Sequence, residues 1–329
     1  MRQRTSGHPA RPDVAWSGLQ PLEPRVLLSS PGALQVGGLI EGLAFHDHNG
    51  NGAFDRDLYS IDRDDNLLRR IDPADGSTLD AVLLTLEGQV IMRSTGLATH
   101  PVTQDLYGIL NLQGANVREL VTINPSTGAA TSIGNLGDKF SGITFANDGT
   151  LFGVTGDGAD VPESLYSIDI NDASATLISE LGNGTDGEVI ALNPLDGLIY
   201  HASGGEGDDE IQIFETINPQ TLEVTNVPLS GFEFDEATAL VHRGQGEFFL
   251  SDLGDLVSNL AVINSLGQAT FTAELDHVSK GLAFVADQPL EGRTIYLDLN
   301  ANGALDDGEP QATTDANGMY AISDLDDDT

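Results

Sequence analysis

Residues 142–152 read Gly142-Ile143-Thr144-Phe145-Ala146-Asn147-Asp148-Gly149-Thr150-Leu151-Phe152. The first four and the last two are mostly apolar, β-branched or aromatic, which favours β-strands. Between them, Asn147-Asp148-Gly149 is a tight-turn sequence, because Asn, Asp and Gly tolerate the left-handed backbone conformations that hairpins need. The stretch therefore predicts a β-hairpin.

The same pattern recurs along the chain at spacings of 43 to 54 residues, and two further strands belong to it. The third strand ends in Ile followed by Asp or Asn, as in Ile123-Asn124-Pro125, and the fourth is rich in Thr and Val. Copies of the first strand are Gly42-Leu43-Ala44-Phe45, Gly96-Leu97-Ala98-Thr99, Gly142-Ile143-Thr144-Phe145, Val189-Ile190-Ala191-Leu192, Thr238-Ala239-Leu240-Val241 and Gly281-Leu282-Ala283-Phe284.

Four strands in about 40–50 residues form the unit of a β-propeller blade. The sequence therefore predicts an all-β fold, a β-propeller of five four-stranded blades, with six as the alternative. The small, apolar first strand suits the crowded position near the axis. The sixth copy at 281–284 is expected to close the ring with residues 34–41.

The repeat resembles that of secreted bacterial β-propellers whose blades read roughly GLAF–DG–LYG–IDP–TG. The resemblance covers residues 34–288, which we expect to be the propeller domain. It implies a fold but no particular function, because propellers host many functions.

Residues 1–33 contain five prolines and no periodicity, so we expect them to be a mostly disordered leader. Within them, Leu22-Glu23-Pro24-Arg25-Val26-Leu27-Leu28-Ser29 resembles the LEPR-XLL motif. That motif is typical of large, repetitive exported bacterial proteins, so the resemblance implies an extracellular or cell-surface location.

Residues 289–329 change in composition again. The segments 294–310 and 313–320 resemble the SdrD B-like, carboxypeptidase-regulatory-like β-sandwiches of surface adhesins. About 40 residues are too few for an independent sandwich. We therefore expect a partial sandwich and a chain that is a fragment of a longer protein.

The most specific motif lies in this last segment and satisfies D-x-[DN]-x-[DN]-G-x₅-E. Ca²⁺ takes six to eight oxygen ligands, which alternate side chains of a tight loop supply. Only three predicted ligands are anionic, which suggests weak, extracellular-type affinity of about 10⁻⁴–10⁻³ M. The predicted ligands are Asp298, Asn300, Asn302, Ala304 through its carbonyl, Asp306 and Glu309.

A weaker Ca²⁺ motif precedes the second strand of the first repeat. It lacks the bidentate acid at its last position, where Leu58 stands, although Asp57 could replace it. An ordinary polar hairpin is the alternative. The candidate ligands are Asp47, Asn49, Asn51, Asp55 and Asp57.

Composition excludes several classes of function. The chain of 329 residues carries 51 acidic and 14 basic residues, a formal charge of −37, and only two lysines. Nucleic acid is not expected as a partner, because phosphate binding needs clustered Lys and Arg. No cysteine occurs, which excludes disulfides and thiolate chemistry. No apolar run is long enough to span a membrane as a helix.

Catalytic candidates are sparse. His46, His100 and His242 follow first strands at the same repeat position, and acids precede several first strands: Asp138, Asp186, Asp235 and Asp276. Convergence of three or more of these side chains would indicate a metal-dependent hydrolase of the lactonase or phytase type. Turn histidines and solvated acids are the simpler interpretation.

The sequence thus favours a non-enzymatic function. It predicts a fragment of an exported bacterial surface or adhesion-type protein, whose propeller is a scaffold or binding module with Ca²⁺-stabilised loops. We expect a monomeric propeller within a longer chain and a protein or glycan ligand. The metal-dependent hydrolase is the alternative.

Overall fold

The computed structural model describes residues 26–29, 39–47, 53–116, 118–156, 158–181, 186–204, 212–254, 256–323 and 325. Within these ranges all regular structure is β-strand, so the all-β prediction is confirmed. No helix in the described part of the chain has the length and hydrophobicity to cross a membrane. The chain divides into two compact units, residues 55–286 and residues 1–54 with 287–329.

The strands are numbered in chain order, beginning with β1 (Val26–Ser29) and β2 (Ile40–His46). Residues 55–286 contain β3 (Arg56–Asp62), β4 (Leu67–Ile71), β5 (Thr78–Leu83), β6 (Thr85–Leu86), β7 (Ile91–Thr99), β8 (Leu106–Leu112), β9 (Arg118–Ile123), β10 (Ala129–Asn135), β11 (Phe140–Phe145), β12 (Leu151–Thr155), β13 (Ser164–Ile168), β14 (Ala175–Glu180), β15 (Asp186–Leu192), β16 (Ile199–Gly204), β17 (Ile213–Ile217), β18 (Val224–Asn226), β19 (Ser230–Gly231), β20 (Ala237–Gly244), β21 (Glu247–Leu253), β22 (Ser258–Asn264), β23 (Gln268–Glu274) and β24 (Ser279–Ala286). The last are β25 (Gln288–Pro289), β26 (Thr294–Tyr296), β27 (Gln311–Thr313) and β28 (Met319–Ile322).

Residues 55–286 form five sheets, each with four successive antiparallel strands. Sheet 1 has the order β24-β3-β4-β5, sheet 2 is β7 to β10, sheet 3 is β11 to β14, sheet 4 is β15 to β18, and sheet 5 is β20 to β23. Short connecting strands extend two outer edges in parallel, β6 on β10 and β19 on β23.

One strand from each sheet contacts its counterparts in the two neighbouring sheets. These contacts run in the cyclic order β24, β7, β11, β15, β20 and back to β24. We call these five the ring strands. Between every two neighbouring sheets lies one buried apolar cluster, so five clusters fill five interfaces. Each fully buried Leu, Ile or Phe contributes about 1.5–3 kcal/mol.

Glycines allow the ring strands to approach closely. A Cβ on Gly281 would lie 2.8 Å from the backbone nitrogen of Leu97 in β7, the next ring strand. A Cβ on Gly142 would lie 3.3 Å from the carbonyl oxygen of Glu188 in β15. The glycine at the start of the repeated first strand is therefore explained by backbone contact around the ring.

The Ile-Asp/Asn motif forms the turn between the third and fourth strands. In each sheet the Asp or Asn side chain accepts a hydrogen bond from the backbone N–H two residues later, at 2.8–3.0 Å. Such turns position the following strand antiparallel. The residues are Asp72, Asn124, Asp169, Asn218 and Asn264.

The first repeat differs from its prediction. Residues 42–45 do not pair with 58–59, so the predicted hairpin between them is wrong. Instead, β24 pairs with β3, with Leu282 opposite Ser60, so the last strand of the unit completes the sheet of the first. The segment 281–284 therefore belongs to the first repeat and does not start a sixth, and β2 lies outside the unit of residues 55–286.

The second unit has its own sheet. There, β2 pairs with β1, β25 and β28, with Gly42 opposite Tyr320, while β26 and β27 form a separate pair. A Cβ on Gly42 would overlap the Tyr320 side chain, so this glycine makes room for an aromatic ring and does not begin a repeat. Within the leader that we expect to be mostly disordered, residues 26–29 form a strand that pairs with residues 43–46.

Candidate functional site

A cavity of about 300 Å³ lies at the end of the ring where the ring strands begin. We call it the polar cavity. Each ring strand contributes one residue at the same level to its lining: Lys280, Thr95, Ser141, Glu188 and Thr238. In β20 the strand register places Leu240, and not Ala239, in the position of Ile143, so Thr238 is the equivalent of Ser141. The five lining residues thus occupy equivalent positions in the five repeats. Because their side chains differ, the repeats contribute different chemical groups to the cavity.

The polar cavity gathers an unusual share of the positive charge. Both lysines of the chain line it, in a molecule with a formal charge of −37. The five cationic residues are Arg63, Arg93, Arg118, Lys139 and Lys280. They come from sheets 1, 2 and 3 or the loops beside them.

Two of these cations have acidic partners. Lys280 pairs with Glu236, and Arg63 lies 2.9 Å from Asp64. Within the described ranges, the other three form no ion pair with a carboxylate. Arg118 donates to the carbonyl of Phe140, Lys139 donates to the carbonyl of Gly158, and Arg93 is exposed. Among the described residues, these three cations thus place positive charge beside sheets 2 and 3 without a carboxylate in direct contact.

Arg118 is the most buried of the three cations. Burial lowers the pKa of its guanidinium, the charge of Arg93 lowers it further, and Asp138 offsets these effects in part. The Asp138 carboxylate is itself occupied by the N–H groups of Asp160 and Val161, at 2.9 and 3.2 Å. A bound anion would relieve the repulsion between two neighbouring guanidinium groups.

Glu188 turns its side chain away from the cavity into a fully buried cluster. Its carboxylate bonds His201 Nε2 and accepts a hydrogen bond from Ser203 Oγ at 2.8 Å, while His201 Nδ1 lies 3.0 Å from Glu215. Burial alone would lower the pKa of His201, but the hydrogen bonds and charges of the two glutamates raise it to about 9. The imidazole is therefore a buried cation at neutral pH.

A second cavity, of about 340 Å³, lies at the other end of the ring strands. We call it the apolar cavity. Its ring of lining residues stands four positions further along the same strands: Phe284, Thr99, Phe145, Leu192 and His242. Burial, followed by the charge of Arg56, lowers the pKa of His242, so this histidine is neutral. The Arg56 guanidinium lies 4.0 Å from the centre of the Phe284 ring.

A narrow waist separates the two cavities. There the ring strands approach at Gly96, Gly142 and Gly281, and the remaining space is about 10 Å³. That volume is about enough for one water molecule. Each cavity is therefore a separate site.

One side-chain arrangement has the geometry of a serine-protease triad. Ser60 Oγ lies 2.7 Å from His277 Nε2, and His277 Nδ1 lies 2.8 Å from Asp276. Ser60 is fully buried and also lies 2.9 Å from Ser279 Oγ. A buried hydroxyl offers no access to a substrate carbonyl, so this network joins β3 to β24, where the ring closes.

The predicted catalytic candidates are dispersed. His46 belongs to the second unit, His100 Nδ1 accepts hydrogen bonds from a turn, and His242 lies within β20 at the apolar cavity. The prediction that the three share a repeat position is wrong, because His242 is paired inside a strand, opposite Phe248. Asp235 is exposed, and Asp186 begins β15. Among the described residues, no group of three or more His, Asp or Glu is placed to hold a metal ion.

The loop 298–309 folds around its own oxygens. Asp298 accepts from the N–H groups of Asn302 and Gly303, at 3.1 and 2.7 Å. Glu309 accepts from the N–H groups of Leu299 and Asp306, both at 2.9 Å. The hydrogen bond from Gly303 leads those that lower the pKa of Asp298.

Asp306 accepts from the side-chain amides of Asn300 and Asn302, at 2.7 and 2.6 Å. Gly303 has a φ of 79°, as the motif's sharp turn requires. The structure thus brings all six predicted ligand residues into one hydrogen-bonded loop, where the N–H of Ala304 donates to Asn302 Oδ1 at 2.7 Å.

The weaker motif is divided between the two units. Asp47 lies in one, and Asp55 and Asp57 lie in the other, where Asp57 is 3.5 Å from Arg70. Asn49 and Asn51 lie outside the described residues.

Sequence reasoning missed the five cations of the polar cavity. They are far apart in the chain and form no motif. One signal could have found them: in so acidic a chain, Lys139 and Lys280 each stand within three residues of a predicted first strand.

Comparisons with known proteins yield distant similarities in structure only. No family model and no curated protein matches the chain. A solved structure of TolB from Acinetobacter baumannii is similar with a TM-score of 0.44 and 12% identity, over 84% of this chain and 65% of that one. Hydrazine synthase from Kuenenia stuttgartiensis is similar with a TM-score of 0.39 and 14% identity, over 78% and 67%. The chain thus spans less than two thirds of the TolB chain.

Proposed function

We propose that residues 55–286 form a five-bladed β-propeller that acts as a ligand-binding module. Three observations support five blades: five four-stranded sheets, cyclic contact among the ring strands, and five apolar clusters between neighbouring sheets. The pairing of β24 with β3 joins the two ends of this segment in one sheet, so radial repetition leaves no open edge at the ring.

The module binds an anionic ligand in the polar cavity. The observation that carries this proposal is the gathering of Arg93, Arg118 and Lys139 without a carboxylate partner among the described residues, in a chain of strongly negative charge. Arginine presents planar donors that match carboxylate, sulfate or phosphate oxygens. The surrounding negative charge repels anions in general, so the cavity would select its ligand by local contacts rather than by long-range attraction.

Titration of the full chain with sodium sulfate at low ionic strength, monitored by amide chemical shifts, tests this function. We expect saturable shifts confined to sheets 1 to 3 at the polar cavity. Arg118→Met should weaken sulfate binding about tenfold or more, since a charged hydrogen bond of about 1.5–3 kcal/mol is lost.

Arg243→Gln is the matched control, because it removes one positive charge at the far end of β20. It should leave sulfate binding unchanged. Equal losses in both variants, or no saturable binding by the wild type, would refute a specific anion site.

The module belongs to an exported bacterial surface or adhesion-type protein, in an extracellular or cell-surface location. The LEPR-XLL-like segment, the SdrD B-like segment and the acidic, cysteine-free composition support this assignment. The partner would be a protein or a glycan. Detection of the chain on intact cells of its source by a protease-accessibility assay would test the location.

The loop 298–309 binds Ca²⁺ after its three carboxylates, which are not grouped around one point in the structure, turn toward the ion. Its donors fit that ion, because the side chains of Asp298, Asn300, Asn302, Asp306 and Glu309 offer oxygen alone as ligand atoms. Each carboxylate oxygen that accepts one N–H bond keeps a second lone pair for a cation. Bound Ca²⁺ would stabilise the loop by preferential binding to the folded state. The motif at 47–57 remains the weaker candidate.

Calorimetric titration with Ca²⁺ tests the loop. Asp298→Ala and Glu309→Gln should each weaken binding. Asp307→Asn is the matched control, since Asp307 is an exposed acid of the same loop outside the predicted ligand set. Absence of wild-type binding at about millimolar Ca²⁺, the extracellular range, would contradict the proposal.

A further inference from the structure

The hydroxyl groups of the polar cavity have their protons committed to the protein. Thr95 Oγ1 lies 2.9 Å from the carbonyl oxygen of Ser141 and 3.2 Å from that of Lys280. Ser141 Oγ donates to the carbonyl of Glu188 at 2.7 Å. A hydroxyl has one proton and two lone pairs, so both oxygens offer a ligand lone pairs only. They therefore favour ligand groups that donate hydrogen bonds.

These acceptors lie near the three cations that have no ion pair among the described residues, Arg93, Arg118 and Lys139. Thr95 lies on β7 with Arg93, and Ser141 lies on β11, which Lys139 immediately precedes. Arg118 donates to the carbonyl of Phe140 at the start of the same β11. Sheets 2 and 3 thus present anion-binding donors and hydroxyl-binding acceptors to one cavity.

The remaining lining offers no stacking surface. Among the described residues that line the polar cavity none is aromatic, so no ring is available for stacking. A volume of about 300 Å³ lies at the small end of ligand sites, which run from about 300 to 1,000 Å³. A small, hydrophilic anion that also donates hydrogen bonds fits this lining.

We propose that the polar cavity binds a polyhydroxylated acid, namely the uronate or sulfate-bearing end of an acidic saccharide. The anionic group would lie on Arg93, Arg118 and Lys139, and hydroxyl groups of the sugar would donate to Thr95 and Ser141. This inference rests on the proposed anion-binding function and specifies its ligand class.

Three probes separate charge from hydroxyl recognition in calorimetric titrations of the full chain, in buffer freed of Ca²⁺ on a chelating resin because uronates bind Ca²⁺. They are digalacturonate, its neutral dimethyl ester and sodium sulfate. We expect digalacturonate to bind at least about tenfold more tightly than sulfate, since two or more added hydrogen bonds of about 1 kcal/mol each favour it. The ester should not bind measurably. A sulfated disaccharide in place of digalacturonate distinguishes the two sources of the anionic group.

Ser141→Ala removes one acceptor and should weaken digalacturonate binding about three- to tenfold while leaving sulfate binding unchanged. Arg118→Met should weaken both, and Arg243→Gln neither. If Ser141→Ala fails to fold, the comparison of digalacturonate with sulfate decides alone.

Two outcomes overturn the inference but not the proposed function: sulfate binding as tightly as digalacturonate, or Ser141→Ala weakening both probes equally. If the ester binds as tightly as digalacturonate, charge plays no part in recognition and the inference is wrong. Failure of every anion to bind refutes the proposed function as well.

Discussion

The two ends of the ring strands differ in chemistry although the same five strands build both. At one end stand Lys280, Thr95, Ser141, Glu188 and Thr238, and four residues later stand Phe284, Thr99, Phe145, Leu192 and His242. Four residues of strand span about 13 Å. Over that distance the five ring positions change from charged and hydroxylic side chains to a set in which Phe284, Phe145 and Leu192 are apolar.

This contrast shows where a repeat fold is free to vary. Between the two ends, close backbone contact requires small residues such as Gly142 and Gly281. On either side of the waist a cavity remains, and the side chains that line it differ between repeats. The fold thus constrains the middle of each ring strand and leaves its ends to function.

We expect the largest loss of stability from a substitution at the waist, where the ring strands contact each other between the two ends. Gly281→Val places a branched side chain against the backbone nitrogen of Leu97 and the carbonyl carbon of Gly96, at 2.8 and 2.9 Å from the new Cβ. Backbone atoms cannot rotate away, so we expect a loss of about 3 kcal/mol of unfolding free energy in urea.

Gly156→Ala is its control. The new Cβ would meet only the Ser141 side chain, at 3.4 Å from its Cβ, an ordinary contact, so the loss should stay below about 1 kcal/mol. If both variants unfold at the same urea concentration as the wild type, the waist is less tightly packed than these contacts indicate.

The buried cluster beside the polar end should make the free energy of unfolding depend on pH. The folded-state pKa of His201 is raised from 6.5 to about 9, because Glu188 and Glu215 outweigh the effect of burial. The stabilisation is therefore complete below about pH 6.5 and is lost as pH rises through 9. His201→Gln should cost roughly 2 kcal/mol at pH 6, and the cost should shrink toward pH 9.

Unfolding curves at several pH values measure this difference. His100→Gln is the control, since His100 Nδ1 accepts backbone N–H bonds from Val102 and Thr103. Its cost should be about 1 kcal/mol or less. A pH-independent cost of His201→Gln would show that its imidazole is not charged in the folded state.

The smallest effect is expected at the apolar end. Thr99 Oγ1 is buried and has no hydrogen-bond partner within the described residues, whereas Thr144 Oγ1 accepts from the N–H of Leu192 at 2.9 Å. Thr99→Val should therefore stabilise the protein by about 1 kcal/mol.

Thr144→Val should lower the free energy of unfolding by about 1 kcal/mol, because it leaves the Leu192 N–H unsatisfied. Opposite signs in differential scanning calorimetry would confirm the assignment. Equal shifts of the melting temperature would mean that the two hydroxyls have equivalent surroundings.

Several features of the fold were predictable because their causes are local. Alternation of apolar residues and turns such as Asn147-Asp148-Gly149 predicted the strands. The Ile-Asp/Asn motif marked the turn after each third strand because its side-chain oxygen bonds the backbone two residues later. The loop 298–309 was also recognisable, since its hydrogen bonds lie within twelve residues.

The candidate site was not predictable in the same way. Arg63, Arg93, Arg118, Lys139 and Lys280 span more than 200 residues and meet only at one cavity. The formal charge of −37 argued against nucleic acid as a partner but gave no sign of a local anion site, because a sum over the chain says nothing of where the few cations lie.

Amino-acid sequence was sufficient for the strands, their turns and the small residues that a crowded ring needs, since each follows from the properties of neighbouring residues. Which copy of the first strand completes the ring depended on tertiary structure alone. Gly42-Leu43-Ala44-Phe45 and Gly281-Leu282-Ala283-Phe284 satisfy the same local pattern. The strand that contains the first copy pairs with residues 319–322, and the strand that contains the second pairs with residues 56–62. Strand pairing is a long-range interaction, and identical local patterns cannot distinguish its partners.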